Sequence, residues 1–330
     1  MSTASTVDRN LALELARVTE AAAIMAARWM GRGDKNAADQ AAVDAMRNVL
    51  NSLDMDGIVV IGEGAKDEAP MLYVGEEVGT GAAPHVDIAV DPIDGTRLLS
   101  LGMPNAIAVV AVAERGTMLA SPDISYMNKI AVGVEAAGFV DVKASVQENL
   151  RRVAAAKGVT IGDLTVVVLD RPRHDELIRE IRETGARIKM IPDGDVAGAV
   201  MAATPGTGVD VLLGIGGAPE AVVAACAIKS LGGEIQCVRY PRNDDERKIA
   251  IEQNISLDEV LSTNDLVKSD NVFFAATGIT DGELVRGVQF YENGARTSSL
   301  VMRSRTGTIR RIDATHRLDK LRQLSGLPFD

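Results

Sequence analysis

The sequence predicts an α/β protein, with an α+β N-terminal half and an α/β C-terminal half. Up to Ala113, two segments with helical apolar periodicity precede short apolar runs of strand length. Beyond Gly138, short apolar runs alternate with helical segments. A chain of 330 residues with 46% hydrophobic and 25% charged residues can also bury a large core. The alternation in the second half therefore predicts a parallel or mixed sheet flanked by helices.

The N-terminal half begins with two predicted helices. Residues 1–7 are expected to form a disordered tail. From Asp8, apolar residues recur at steps of four and three, which predicts one long helix that the break at Gly31-Arg32-Gly33 ends. Asn36 is expected to cap a second helix that reaches about Leu53. The predicted strands of this half are residues 57–61, 86–91 and 106–113, and residues 121–129 look irregular.

The C-terminal half repeats helix and strand. Its predicted elements are helix 146–157, strand 164–170, helix 174–184, strand 187–191, helix 195–203, strand 209–213, helix 218–231 and strand 233–239. They are followed by a charged helical segment at 241–254, strands at 272–276, 285–291, 298–304 and 307–312, and a final helix at 314–324. No linker rich in Pro, Gly or Ser separates the halves. We therefore expect subdomains 8–144 and 145–330 to pack as one unit around a site between them.

Two acidic turns follow apolar strands of the N-terminal half. Asp91 and Asp94 stand on either side of a proline and before a glycine, so the chain turns there and can aim both carboxylates at one position. Converging carboxylates suit a hard divalent cation such as Mg²⁺ or Mn²⁺. The alternative is an Asx-turn with a solvated Asp. A second apolar run, residues 57–61, leads to Glu63 between two glycines, which favours the metal interpretation.

These turns resemble the metal site of the lithium-sensitive sugar and inositol phosphatase superfamily. The match narrows to the class II fructose-1,6-bisphosphatases, a bacterial group of which some members also act on sedoheptulose 1,7-bisphosphate. The similarity extends from about Arg9 to about Leu324. The motifs that carry it are Gly31-Arg32-Gly33-Asp34-Lys35-Asn36 with Asp39, Gly62-Glu63-Gly64, Asp67-Glu68-Ala69-Pro70-Met71-Leu72-Tyr73, Asp91-Pro92-Ile93-Asp94-Gly95-Thr96, Arg171-Pro172-Arg173-His174, Asp193-Gly194-Asp195 and Gly214-Ile215-Gly216-Gly217-Ala218-Pro219-Glu220.

The resemblance implies a layered α-β-α-β-α sandwich of the sugar phosphatase type and a role for each motif. The implied metal ligands are Asp39, Glu63, Asp91, Asp94 and Glu220. The implied catalytic residues are Thr96, Asp67 and Glu63. The implied substrate-binding residues are Lys35, Tyr126, Arg171, Arg173, Asp193 and Asp195. One departure from the family pattern is Ala65, which stands where a second Glu is usual.

Structural roles are the alternatives for several of these residues. Asp39 and Glu220 stand near predicted helix starts, where a carboxylate complements the helix dipole by up to about 1 kcal/mol. Tyr126 can be a packing aromatic. The turn Arg171-Pro172-Arg173-His174 can cap the helix that follows it, and Asp195 can be the N-cap of the next one.

The implied activity is metal-dependent hydrolysis of the 1-phosphate of fructose 1,6-bisphosphate, giving fructose 6-phosphate and phosphate for gluconeogenesis. Planar guanidinium groups such as those of Arg171 and Arg173 suit phosphate. A water activated by the cations is favoured as nucleophile over Thr96, whose nearest His in sequence, His85, is expected at the surface. The alternatives are a sedoheptulose-1,7-bisphosphatase, an inositol-phosphate phosphatase and a non-catalytic sugar-phosphate sensor.

The composition limits the partners of the protein. A net charge of −11 argues against binding to nucleic acid, which needs a basic face. We expect neither secretion nor a membrane span, because no basic segment precedes an apolar one at the N-terminus and no apolar run has the length that a span needs. Cys226 and Cys237 have apolar surroundings, so buried reduced thiols in a cytoplasmic protein are expected. The expected partners are a small sugar bisphosphate and other copies of the chain, in a homodimer or homotetramer.

Overall fold

The computed structural model describes residues 11–62, 72–120 and 124–325, with the backbone alone for residues 322–325. Its helices in these ranges are α1 (Leu11–Ala27), α2 (Lys35–Leu50), α3 (Thr96–Ser100), α4 (Val146–Lys157), α5 (Asp175–Thr184), α6 (Asp195–Ala203), α7 (Ala218–Leu231), α8 (Asp244–Glu252), α9 (Thr263–Leu266) and α10 (Leu318–Ser325). Its strands are β1 (Asp56–Ile61), β2 (Glu77–Val78), β3 (His85–Asp94), β4 (Ile107–Glu114), β5 (Tyr126–Val132), β6 (Thr165–Leu169), β7 (Arg187–Ile191), β8 (Val211–Gly217), β9 (Glu234–Arg239), β10 (Leu261–Ser262), β11 (Phe273–Gly278), β12 (Gln289–Tyr291), β13 (Gly294–Arg303) and β14 (Thr308–Arg317). The predicted α/β class is confirmed.

The described strands form two mixed sheets. The first has the order β12-β13-β11-β4-β3-β1-β2, with β14 paired to β13, and in it β1 is parallel to β3. The second has the order β10-β9-β5-β8-β6-β7. In the second sheet β6 is parallel to both β7 and β8, whereas β5 is antiparallel to both β8 and β9. The predicted mixed sheet flanked by helices is therefore present in the second half.

The helices lie in three layers around these sheets. One apolar cluster packs α1 and α2 on the first sheet through residues such as Leu15, Met46 and Val110. A second cluster places α6 and α7 between the two sheets, and a third packs α4 and α5 on the outer face of the second sheet. Because α6 and α7 meet a sheet on both sides, most residues of these Ala-rich helices are buried. The result is the α-β-α-β-α sandwich that the resemblance implies.

Strand β5 is the main difference from the sequence prediction, which left residues 121–129 irregular. The strand begins at Tyr126 and lies between β8 and β9. Its polar residues Asn128 and Lys129 hide the apolar pattern of a central strand. Lys129 is nevertheless buried, because a carboxylate on another element pairs with its ammonium group.

Element boundaries also differ, as three examples show. The N-cap of α2 is Asp34, whose side chain accepts from the Ala37 N–H, so the expected cap at Asn36 was wrong. Strand β14 continues to Arg317 because its pairing with β13 runs over its full length, so the last helix begins at Leu318 and not near residue 314. The strand predicted over 285–291 is reduced to β12.

The two sheets exchange chain segments. The first sheet takes β1 to β4 and then β11 to β14, whereas the second takes β5 to β10. The chain therefore crosses between sheets after β4 and again after β10. The subdomain division at residues 144 and 145 stays a prediction, and the expected tail at residues 1–7 lies outside the described residues.

Two smaller expectations can be compared with the structure. In the described residues, none of the helices has both the length and the apolar character needed to cross a bilayer. Cys226 and Cys237 are free and buried, as predicted, and burial raises the pKa of each thiol to about 12.

Candidate active site

The site residues collect where the carboxyl ends of strands from both sheets meet. In the first sheet β1 and β3 are parallel and end at one edge, and in the second sheet β6, β7 and β8 do the same. Two hydrogen bonds join these edges. The Ala197 N–H donates to Asp94 Oδ2 at 2.7 Å, and the Arg97 N–H donates to Asp193 Oδ2 at 3.0 Å. The motifs that carry the family resemblance therefore cluster at strand ends.

The turn at the end of β3 places Asp91 and Asp94 in different surroundings. Asp91 is half-buried, and its Oδ1 accepts from the Ile93 N–H at 3.1 Å, which is the Asx-turn contact. Asp94 is only 3% exposed and accepts from the third residue of α6, Ala197. It acts as the cap of that helix, because the N-cap residue, Gly194, has no side chain. Asp195 is the first residue of α6, which contradicts the alternative in which Asp195 is the N-cap of that helix.

Thr96, Asp39 and Lys35 come together at the starts of α2 and α3. The Thr96 Oγ1 lies 3.3 Å from Asp39 Oδ1 and 3.3 Å from the Ile93 carbonyl oxygen, both acceptors. Burial raises the pKa of Asp39 to about 6, against the effects of the Thr96 hydrogen bond and the Lys35 charge. Lys35 itself is exposed as the first residue of α2. A carboxylate, a hydroxyl and an ammonium group therefore lie beside the acidic turn.

The glycine break before α2 explains why that helix starts here. The Gly31 N–H donates to the Leu99 carbonyl at 2.9 Å, and the Gly33 N–H donates to the Ser100 carbonyl at 3.1 Å. These bonds fix the break against the last turn of α3. The start of α2 is held beside Thr96 as a result.

The end of β8 leaves room for the carboxylates of Asp195 and Glu220, because its last two residues, Gly216 and Gly217, are glycines. A Cβ atom on Gly216 would lie 2.0 Å from Asp195 Oδ2, and one on Gly217 would lie 1.8 Å from Glu220 Oε2. Glu220 Oε2 is inaccessible to water and has no hydrogen-bond partner among the described residues. An unpartnered buried carboxylate oxygen is costly unless another group binds it.

Lys129 is a functional candidate that the sequence interpretation missed. Its Nζ lies 2.7 Å from Asp195 Oδ2, and the two side chains are 3% and 11% exposed. Burial alone would lower the pKa of Lys129, but the charges of Asp195 and Glu220 reverse the effect and raise it. The available signal was the period-two pattern in which Met127, Lys129 and Ala131 share one strand face.

The acidic groups where the two edges meet fit a cation in charge and burial. Burial and the neighbouring charges of Asp195, Asp193 and Glu220 raise the pKa of Asp94 well above its usual range. Burial and the charge of Asp195 also raise the pKa of Glu220. No group of three His, Cys, Asp or Glu side chains in the described ranges could hold a metal ion alone. The described residues thus offer part of a donor set, with an unpartnered oxygen on Glu220.

The basic edge is formed by the turn between β6 and α5. Arg171 Nη2 lies 3.3 Å from Asp193 Oδ1, and its Nη1 donates to the Pro192 carbonyl at 2.5 Å. Arg173 donates to the Ile215 carbonyl from Nε at 3.1 Å and from Nη2 at 2.8 Å. Asp193 is therefore held from two sides, by Arg171 and by the Arg97 N–H.

Tyr126 brings a further arginine to this edge. The guanidinium carbon of Arg173 lies 5.1 Å from the ring centroid of Tyr126, and that of Arg242 lies 5.2 Å from it. Arg242 also donates to Glu246 at 2.7 Å and to the Ser125 hydroxyl at 3.1 Å. Sequence reasoning missed Arg242 because it occurs in a run of charged residues, and its position two residues after Tyr240, just past β9, was the available signal.

Two residues of the predicted site cannot be placed. Glu63 and Asp67, with the implied metal and catalytic roles, lie outside the described residues, as does the departure at Ala65. The strand leading to them, β1, is in place beside β3, since Ile61 pairs with Ala89.

Known proteins match the chain over nearly its whole length. A sequence model of the family described as bacterial fructose-1,6-bisphosphatase, glpX-encoded, matches residues 9–316. The chain is 49% identical over 328 residues to the fructose-1,6-bisphosphatase class 2 of Haemophilus influenzae, covering 96% of this chain and 98% of the relative. It is 48% identical over 325 residues to fructose-1,6-bisphosphatase 1 class 2 of Escherichia coli K12, covering 94% and 96%. The chain belongs to the bacterial, glpX-encoded fructose-1,6-bisphosphatase family.

Proposed function

We infer that this protein hydrolyses fructose 1,6-bisphosphate at the 1-phosphate, giving fructose 6-phosphate and phosphate in gluconeogenesis. Relatives that are 48–49% identical over nearly the full chain bear the name of this activity. The structural observation that carries the inference is the junction of an acidic edge with an arginine-bearing edge, joined by the contacts of residues 193–197. Phosphate ester hydrolysis needs both cations and positioned charge at the phosphoryl group.

We propose Mg²⁺ or Mn²⁺ as the cofactor, held by Asp39, Glu63, Asp91, Asp94 and Glu220. Carboxylates suit these hard cations, and the unpartnered Oε2 of Glu220 supports the assignment. When bound, the cations would neutralise the phosphoryl oxygens and activate a water as nucleophile. The remaining steps fall to side chains of the protein.

Thr96 is proposed to orient the attacking water. Its hydroxyl already lies within hydrogen-bond distance of Asp39 and the Ile93 carbonyl, which fixes the direction of its oxygen. A proton acceptor is needed when water attacks, and Glu63 and Asp67 are proposed for that role. Lys35, at the start of α2, would attract the phosphate as a point charge.

The second edge is proposed to bind the sugar and its distal phosphate. Arg171, Arg173 and Tyr126 are the proposed phosphate ligands, and Asp193 and Asp195 are proposed to accept hydrogen bonds from sugar hydroxyls. Asp193 is held by Arg171, and Asp195 is held by Lys129. Both carboxylates are therefore positioned before substrate binds, which reduces the entropy lost on binding.

The cell compartment and the assembly remain proposals. Two buried free thiols support a cytoplasmic location, because disulfides are rare there. A homodimer or homotetramer is proposed on family resemblance alone.

The experiment is a measurement of phosphate release from four substrates: fructose 1,6-bisphosphate, sedoheptulose 1,7-bisphosphate, fructose 6-phosphate and inositol 1-phosphate. Each is tested with Mg²⁺, with Mn²⁺ and with a chelator, and the sugar product is identified by phosphorus NMR. We expect one phosphate per fructose 1,6-bisphosphate, fructose 6-phosphate as product, and no release with the chelator. Faster turnover of inositol 1-phosphate, or release from fructose 1,6-bisphosphate with the chelator, would overturn the proposal.

A further inference from the structure

His174 makes two hydrogen bonds to the backbones of two different strand ends. Its ring is 1% exposed, and Nδ1 lies 2.7 Å from the carbonyl oxygen of Leu169, the last residue of β6. The backbone N–H of Ile215, in β8, donates to Nε2 at 2.7 Å. His174 is also the N-cap residue of α5, but among the described residues its side chain makes no cap bond. The ring therefore does something other than cap its helix.

This pair of bonds requires one form of the imidazole. Because the Ile215 N–H is a donor, Nε2 must be an unprotonated acceptor, so Nδ1 carries the proton and donates to Leu169. An imidazolium would turn Nε2 into a second donor facing an N–H. A neutral ring with the proton on Nδ1 is the form that satisfies both contacts.

The contact to Ile215 connects His174 to Arg173. Arg173 holds the carbonyl oxygen of Ile215 through two guanidinium nitrogens, while His174 holds the N–H of the same residue. Two neighbouring side chains thus hydrogen-bond to the backbone carbonyl and the backbone N–H of Ile215 in β8. The hydrogen bonds of Arg173 to Ile215 also hold its guanidinium against the Tyr126 ring.

Gly214 provides the space for the ring. Its φ is +135°, and a Cβ atom there would lie 3.0 Å from His174 Nε2 and 3.1 Å from Cε1. A side chain at this position would push the imidazole away from Ile215. The close approach of ring and backbone is therefore built into the sequence Gly214-Ile215.

We propose that His174 is a positioning residue for substrate binding, whose neutral imidazole fixes Arg173 and the turn before α5 in register with the end of β8. The proposal rests on the proposed function, since Arg173 is a proposed phosphate ligand. The acidic edge should be little affected, because the pairing of Asn128 with Ile215 and of Tyr126 with Gly217 holds the end of β8 independently. The expected effect is on substrate affinity more than on turnover.

Burial and two neighbouring arginines oppose protonation of the His174 ring. Burial lowers the pKa of His174 below its usual value, and the charges of Arg173 and Arg171 lower it further, against the two backbone hydrogen bonds. A cavity of about 360 Å³ borders the ring, and its charged lining residues are Lys129 on β5, Arg173, and Glu176 and Glu180 on α5. Acid should therefore break the hydrogen bond from the Ile215 N–H to His174 Nε2 only below the ordinary pKa of His.

Kinetics of three variants test the proposal. In His174→Ala we expect the KM for fructose 1,6-bisphosphate to rise roughly 10- to 100-fold with kcat within about threefold, because a misplaced binding group weakens substrate grip. His174→Gln, whose amide can donate to Leu169 and accept from Ile215, should keep KM within about fivefold. His316→Gln is the matched control, a partly buried His bonded to Thr297, and should change neither constant. Equal KM in His174→Ala and the wild type, at a lower melting temperature, would reduce His174 to a structural role.

The pH dependence gives a second test. The wild-type KM should rise on the acid side relative to that of His174→Gln, because Gln cannot be protonated in that range. Dividing the wild-type KM by that of His174→Gln cancels the effect of substrate ionisation, which is the same for both proteins. A ratio that changes between pH 7 and pH 8, where the ring should already be neutral, would overturn the proposal.

A third test needs no turnover, so it separates this proposal from the proposed function. The chain has three histidines, so His85→Gln/His316→Gln leaves His174 alone. Nitrogen NMR of this protein, labelled on histidine, should show a neutral ring with the proton on Nδ1 at pH 7.5. An Nε2–H tautomer or an imidazolium would overturn the inference even if the enzyme is active. Loss of fructose 1,6-bisphosphate hydrolysis in the wild type would instead overturn the function.

Discussion

The acidic edge around the end of β3 and the basic edge formed at the ends of β6, β7 and β8 handle buried charge differently. At the acidic edge, Asp94 accepts a hydrogen bond from a backbone N–H, and Asp39 accepts one from the Thr96 hydroxyl. At the basic edge, Asp195 is paired with an ammonium group and Asp193 with a guanidinium group. Backbone amides and hydroxyls satisfy hydrogen bonding but do not neutralise charge.

The pKa values reflect this difference. Burial raises the pKa of Asp94 and of Asp39, so the folded protein without a cation disfavours their ionised forms. Lys129 keeps its charge despite complete burial because Asp195 and Glu220 face it. Lys129 and Arg171 thus neutralise Asp195 and Asp193, whereas Asp94 and Asp39 fit the role of the metal ligands proposed above. The contrast separates carboxylates that have a charged partner in the protein from carboxylates that are suited to bind metal.

The largest effect is expected from removing the cation of the second edge. In Lys129→Met, Asp195 loses its partner in a buried position, and we expect a loss of about 3–5 kcal/mol in the free energy of unfolding. Lys157→Met is the matched control, because Lys157 pairs with Asp210 at 2.9 Å but both side chains are more exposed, at 25% and 17%. Equilibrium unfolding in urea measures both. A loss below about 1 kcal/mol in Lys129→Met would show that the pair is not needed to neutralise the site.

Asp94→Asn should separate activity from stability. The Asn oxygen can still accept from the Ala197 N–H, whereas the charge that a cation needs is gone. We expect kcat to fall roughly 100- to 1,000-fold, equivalent to about 3–4 kcal/mol. The melting temperature without metal should hold or rise, because the carboxylate is unfavourable there.

The control for this change lies on the same strand. Asp87 is buried and accepts from the Thr117 and Met118 N–H groups. Asp87→Asn should lower the melting temperature and leave kcat near the wild-type value. Full activity in Asp94→Asn at saturating Mg²⁺ would remove Asp94 from the proposed metal ligands.

Arg173→Ala tests the basic edge. Charge-assisted hydrogen bonds of this kind contribute about 1.5–3 kcal/mol, so KM for fructose 1,6-bisphosphate should rise roughly 10- to 150-fold. Arg179→Ala, on α5 with exposed partners Glu176 and Glu183, is the matched control and should leave KM unchanged. Steady-state kinetics decide between them. An unchanged KM in Arg173→Ala would make its turn a purely structural feature.

The smallest effect is expected from Glu20, a buried carboxyl outside the site. It tests whether burial alone raises a carboxyl pKa as it does at the acidic edge. It lies on α1, accepts from the Thr297 hydroxyl at 3.4 Å, and burial raises its pKa to about 7. A carboxyl whose pKa is raised on folding binds more protons folded than unfolded, so stability falls as pH rises from the unfolded to the folded pKa. Between pH 5 and pH 6.5 this group should remove about 2 kcal/mol of stability.

Glu20→Gln should lose that pH dependence and be the more stable protein at pH 7. Glu14→Gln, exposed on the same helix and paired with Arg17, is the control. Thermal unfolding without metal, repeated with Mg²⁺, measures both. If Mg²⁺ changed the effect of Glu20→Gln on thermal unfolding, Glu20 would be coupled to the proposed metal ligands, and the prediction would be wrong.

The sequence alone determined most helices, the strands flanked by glycine and the motifs of the site. Local patterns sufficed there because amphipathic periodicity and turn residues act over a few neighbours. The elements predicted between residues 146 and 239 correspond to α4 through β9, and the motifs at Arg171, Asp193 and Glu220 follow β6, β7 and β8. The implied layers also agree with the packing of α6 and α7 between the sheets.

Only the tertiary structure decided which charges meet. Lys129 and Asp195 are 66 residues apart, and Asp94 and Ala197 are 103 apart. Strand β5 looked irregular because its Lys requires a distant carboxylate before it can be buried. Its place between β8 and β9 depends on strand order, which local periodicity does not contain. The burial of a charged residue is set by its partner, and that partner is known only once the chain has folded.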